Sequence, residues 1–172
     1  AADAALAGSP LPGTILGNCQ WKIGGREIAR GRKPADDRPA GLQGIHAPKL
    51  LTVGDEADGI AKAIIKALAS LTTSETGASL LIGNPLDPES AFAELCAGAD
   101  HGESGYEPAM SDAGWFVVPW PLHLSPMFDG EAVSDELKAK LTGPAWLERF
   151  ERLDPPGSPA HEGRVMARWP AT

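Results

Sequence analysis

The chain has 172 residues, a formal net charge of −8 and a pI near 4.9; it has the size of one domain and lacks the positive field that general affinity for nucleic acid or anionic lipid requires. Apolar residues make up 42% and charged residues 22%, which excludes wholesale disorder, and no apolar run reaches the ~20 residues of a bilayer span. Two cysteines, Cys19 and Cys96, are too few for a disulfide framework or a complete zinc site.

Residues 1–13 are small, weakly polar and end in turn residues, and they read as an N-terminal arm with little structure of its own. Next, Cys19–Ile23 and Arg26–Ala29 alternate across Gly24-Gly25, which predicts a hairpin with a two-residue glycine turn. Residues 30–48 are dense in charge, proline and glycine and predict a long surface loop. Lys49–Val53 reads as a short strand. A helix is expected over 55–71, with Asp55 as its cap and Ile60, Ile64, Ala67, Leu68 and Leu71 on one face. A second strand over 78–83 closes a parallel strand–helix–strand crossover.

Asp87 as N-cap and Pro88 at the first helical position predict a helix over 88–97 that Gly98 ends, with Phe92, Leu95 and Cys96 inward. Residues 99–114 are polar and aperiodic. Trp115–Val118 reads as a strand that Pro119 and Pro121 push to a sheet edge. Ser134 is expected to cap a short helix through Leu141. Gly143-Pro144 opens another, with Trp146, Leu147, Phe150 and Leu153 on one face, and Asp154-Pro155-Pro156 stops it. Gly163–Trp169 reads as a last strand. The order predicts an α+β fold: an arm over 1–13, then a single domain over 14–172 with a mixed, mostly antiparallel sheet, one βαβ crossover over 49–83 and about four helices.

The residues able to ligate a metal concentrate in Asp100, His101, Glu103 and Glu107. Carboxylates and imidazole on a flexible loop suit a hard cation or zinc, yet the spacing matches neither a calcium loop nor a helical zinc motif, and a solvated acidic loop is the plainer reading. Asp100-His101 and His161-Glu162 are acid–histidine neighbours that would serve general acid–base catalysis if the fold joined them. His123 and His46 read as structural histidines. Cys96 falls on an apolar helix face, and no nucleophile elbow, phosphate loop or dinucleotide fingerprint occurs, so no cofactor is expected.

Arg26, Arg30, Arg32, Lys33 and Arg38 form a basic patch on an acidic chain, suited to an acidic partner or phosphate; without interleaved aromatics it does not favour nucleic acid. Trp115 and Trp120 flank Pro119, and Trp169 precedes Pro170, offering stacking surfaces for a carbohydrate, a peptide or another subunit.

These features favour a non-catalytic structural or interaction subunit, homo- or hetero-oligomeric, in a larger assembly such as a viral particle or a multi-subunit complex. The arm at 1–13 and the loop at 30–48 are then expected to resist proteolysis only once assembled. A small metal-dependent hydrolase using the 100–112 loop, and a carbohydrate or peptide binder using tryptophans, are the alternatives. A reducing cytosol is the simpler setting, although Ala1 fits removal of an export signal as well as removal of Met, and an exported chain could pair Cys19 with Cys96.

Overall fold

The computed structural model describes residues 12–33, 42, 45 and 47–171. Most of the expected arm, together with Arg38 and His46, lies outside these residues. The class is α+β, and within the described residues the strands form three small sheets, two antiparallel and one parallel. Among the described residues no helix is long and apolar enough to cross a membrane.

The first sheet is β1 (Thr14–Leu16), β2 (Gln20–Ile23) and β3 (Arg26–Arg30), antiparallel in that order. The hairpin falls where the glycine pair predicts. Gly24 and Gly25 take φ of 54° and 80°, and the tight turn that matches strand twist needs both values positive. Pro12 is fastened to this sheet, its carbonyl accepting from Trp21 Nε1 at 3.0 Å.

β4 (Leu51–Gly54) pairs in parallel with β5 (Ala78–Leu81), and α1 (Lys62–Leu71) lies between them in the chain, giving the expected crossover. The helix starts later than its periodicity suggests. Residues Ala57–Gly59 form a separate 3-10 turn after Glu56, whose φ is 53°, and Ala61 is the N-cap without a side-chain bond. The Asp55 carboxylate instead accepts from the Glu56 amide at 3.0 Å. Asp58 is taken up by a tertiary contact: it accepts from Ser90 Oγ at 2.9 Å and faces the Asp87 amide at 3.2 Å. Local helix signals here lose to a bond that fixes the next element.

That element, α2 (Ala91–Cys96), is capped by Ser90, whose hydroxyl accepts from the Ala93 amide at 3.1 Å. The Asp87 cap expected from sequence is corrected: Asp87 accepts from Glu89 two residues on, at 2.9 Å, so Asp87-Pro88 builds a turn before the helix. Ser90 both caps α2 and donates to Asp58, and it is buried. Ser90→Ala is therefore expected to lower stability by about 1–2 kcal/mol in urea unfolding, because it removes a cap and leaves a carboxylate short of a donor.

β6 (Ala109–Met110) and β7 (Phe116–Val117) form the third, antiparallel sheet. α3 (Asp135–Lys138) begins at the predicted cap, with Ser134 Oγ accepting from Leu137 at 3.3 Å. α4 (Pro144–Glu151) restarts at Gly143-Pro144 as expected, with Trp146 and Phe150 stacked at 4.9 Å. Leu153, expected on the same buried stripe, is 84% exposed; the helix ends at Glu151, so its periodicity no longer applies two residues on.

The expected terminal strand is also corrected. α5 (Pro159–Arg164) occupies its start, capped by Ser158, with Pro159 in the first turn. Serine followed by proline is a helix start, and this local signal outweighs the alternation after Gly163. Gly163 sits against the Pro85–Leu86 backbone, and an added Cβ would lie 2.5 Å from the Pro85 carbonyl oxygen.

Among the described residues the buried hydrophobic side chains are Leu42, Ala57, Ile64, Ile65 and Val165, with Pro121 fully covered. Leu122 donates to the Val165 carbonyl at 2.8 Å, joining the 3-10 turn Leu122–Leu124 to the end of α5. Within the described residues this is a small core. Much apolar side chain is left at the surface.

Candidate functional site

Alternation along β4 buries Thr52 and Gly54 and turns Leu51 and Val53 outward, 61% and 54% exposed. The inner face rests on α1: a Cβ at Gly54 would meet Leu81, Ile60 and Leu68, and Thr52 Oγ1 donates to Ser79 Oγ at 2.8 Å. In β5 the register pairs Val53 with Leu80, so Leu80 and Ile82, 47% and 51% exposed, extend the same outer face. Strands with one face packed and the other wet normally carry polar residues on the wet side. Here the wet side is Leu51, Val53, Leu80 and Ile82.

The third sheet repeats the pattern. Met110 pairs with Phe116, and Met110, Phe116 and Val118 are 56%, 65% and 48% exposed, with Trp120 beyond them at 71%. β5 and β7 belong to different sheets, yet both flank one cleft of about 110 Å³, floored by Phe92, Leu95 and Cys96 of α2. Each sheet has only two strands, so the far edges of β5 and β7 keep backbone donors and acceptors that no strand among the described residues pairs. A shallower hollow at Pro48, Leu71 and Ser74 carries no ionisable group.

The acidic loop is tied to itself. His101 Nδ1 lies 2.8 Å from the Glu107 carbonyl oxygen, and Asp100 accepts from the Gly102 amide at 3.1 Å. Glu103 and Glu107 are exposed. Among the described residues no three His, Cys, Asp or Glu side chains converge as a metal would require.

His161, in contrast, is 5% exposed. Its partner is Glu151 at the end of α4, 3.2 Å from Nε2, and not the neighbouring Glu162. The other ring nitrogen is buried without a partner. His101 and His161 thus have separate hydrogen-bond partners, the Glu107 carbonyl and the Glu151 carboxylate. Nothing in the spacing of Glu151 and His161 points to their contact; helix α4, the Pro-Pro stop and the Ser158 cap together fold one helix end back on the next. His123 is exposed and meets the Tyr106 ring edge-on at 5.0 Å, and Arg168 lies 4.8 Å over that ring.

Of the basic patch, Arg26, Arg30, Arg32 and Lys33 are exposed along and after β3. Arg30 Nε donates to Glu27 at 2.8 Å, and this hydrogen bond holds the Glu27 carboxyl below its usual range. One cation of the patch is thus locally neutralised. Of the tryptophans, Trp115 lines the cleft, Trp120 is 71% exposed, and Trp169 packs edge-on at 5.7 Å against Phe92, which lines that cleft too.

Cys19 is exposed, Cys96 is half-buried, and both are free thiols. Burial pushes the Cys96 thiol up from its ordinary pKa, which reduces its thiolate at neutral pH. In the native protein iodoacetamide is expected to modify Cys19 at least ~10-fold faster than Cys96, since rate follows both exposure and thiolate fraction. Peptide mapping of a time course checks this; equal rates would show that α2 opens readily.

Set beside protein-family models, curated proteins and solved structures, the chain matches none of them.

Proposed function

We propose that this chain is a non-catalytic structural or interaction subunit of a larger protein assembly, which it joins through the outer face of β4–β5 and β6–β7. The observation that carries this reading is that face. Exposed single apolar residues are ordinary, whereas a continuous apolar surface on a soluble monomer is rarely larger than a few hundred Å² and marks a docking site when it is. The small core agrees with it, because a chain that buries few apolar residues of its own gains stability by covering others against a neighbour.

The polar candidates add support from the other direction. His101 and Asp100 bond within their own loop and His161 is buried against Glu151, an arrangement that suits structural roles for these residues. Free thiols at Cys19 and Cys96 fit a reducing compartment, the cytosol or the interior of an assembled particle.

The test is the native mass of the protein taken from its source without denaturation. A stoichiometric complex well above 17.9 kDa is expected. A lone chain of that mass would contradict the reading.

A further inference from the structure

We propose that the partner covering this face is a second copy of the same chain, the two pairing about a two-fold axis with the outer faces of β4–β5 and β6–β7 stacked on one another. The inference rests on the interaction reading above and names its partner. Size is the first argument. A fully exposed residue of these types presents about 150–200 Å², so the eight outward side chains at 51, 53, 80, 82, 110, 116, 118 and 120 expose on the order of 800 Å² at the fractions given above. A stable pairwise contact of standard size buries about 800 Å² on each partner. The face is large enough to form the apolar centre of such a contact, with the polar residues around it as the rim.

Charge is the second argument. The chain carries −8, so two copies repel at a distance, and any ionisable residue near a two-fold axis meets its own like. The outward positions of β4, β5, β6 and β7 carry no ionisable side chain. An unlike partner gains from opposite charges across the contact, and this face offers it none. A neutral, apolar face is the surface that an acidic chain can present to its own copy. Stacked sheets lie about 10 Å apart with their side chains interleaved, which would cover Leu80 and Phe116 near the centre and leave the backbone edges of β5 and β7 at the cleft.

Sedimentation equilibrium of the full chain over about 1–200 µM tests it. The wild type is expected at twice 17.9 kDa in the upper part of that range. Leu80→Asp and Phe116→Asp place a charge at positions already 47% and 65% exposed, so the monomer keeps its fold, followed by far-UV circular dichroism. Each is expected to weaken pairing at least ~100-fold, the cost of burying an unpaired charge at the centre of a contact. Ile82→Lys, 51% exposed, replaces either variant that loses its dichroism. Leu153→Asp, at the end of α4 and outside the face, leaves pairing unchanged.

A wild type that stays monomeric throughout, or a dimer that the face variants do not weaken, overturns the proposal. Binding of the hydrophobic dye ANS separates that failure from failure of the reading beneath it. A monomer that binds ANS, with less bound by Phe116→Asp, keeps an open face for a different protein and refutes only the second copy. A monomer that binds none refutes both.

Discussion

Ile64→Ala is expected to cost about 3 kcal/mol and to be the most damaging single truncation in the chain. Ile64 and Ile65 are 3% and 5% exposed on α1, between the two strands of the crossover. Removing three buried carbons loses their transfer free energy and leaves a cavity that the surroundings fill only in part, which together cost 2–5 kcal/mol for such changes. A domain of this size has only about 5–15 kcal/mol in reserve, and the few buried apolar residues here place it toward the low end. Urea unfolding followed by tryptophan fluorescence reads the loss as a lower midpoint with an unchanged slope. A loss below about 1 kcal/mol would mean that α1 does not pack on β4–β5 as described.

Gly163→Val is expected to lower stability by about 2–3 kcal/mol, though it lies on a short helix that contributes no side chain to the apolar face. The added Cβ would sit 2.5 Å from the Pro85 carbonyl oxygen and 2.6 Å from Leu86 Cδ2. A side-chain neighbour can rotate away. A backbone carbonyl held between two prolines' worth of restricted chain cannot, so α5 must shift and drag Val165 and His161 with it. Gly163→Ala carries the same Cβ clash without the valine methyls and has roughly 0.5 kcal/mol more helix propensity than valine, so its loss should be the smaller. If both variants unfolded at the wild-type midpoint, the close approach of α5 to residues 85–86 would be wrong.

Much of the fold is legible in the chain because the signals are local. Gly24-Gly25 fixes the hairpin, since two consecutive positive φ values leave little else. The crossover over 49–83 follows from apolar residues switching between strand and helical spacing. Signals fail where a tertiary contact claims the residue that would have carried them. Asp55 bonds the Glu56 amide and Asp58 accepts from Ser90, and α1 begins only at Lys62. Asp87 closes a turn, and Ser90 takes its place as cap. The last segment was misread for the opposite reason, because Ser158-Pro159 is a strong local helix start that the alternation further on concealed.

The face itself was not legible. Leu51-Thr52-Val53 reads identically whether Leu51 and Val53 face a core or water, and alternation tells only that two sides differ. The tryptophans stand out in the chain by type and by their neighbouring prolines, whereas Leu80, Ile82 and Phe116 are ordinary strand residues whose exposure only the fold reveals. The histidines were legible as residues and illegible as sites. Glu151 and His161 are ten positions apart, with a helix end and a proline pair between them, and nothing in their spacing announces a meeting.

Carbene footprinting of the protein alone and in its native assembly tests the central claim most directly. Leu80, Ile82, Phe116 and Trp120 should be labelled freely in the isolated chain at low concentration and protected about 10-fold in the assembly, while Leu153, 84% exposed, is labelled alike in both. Equal labelling of the four face residues in the two states would mean that nothing docks there.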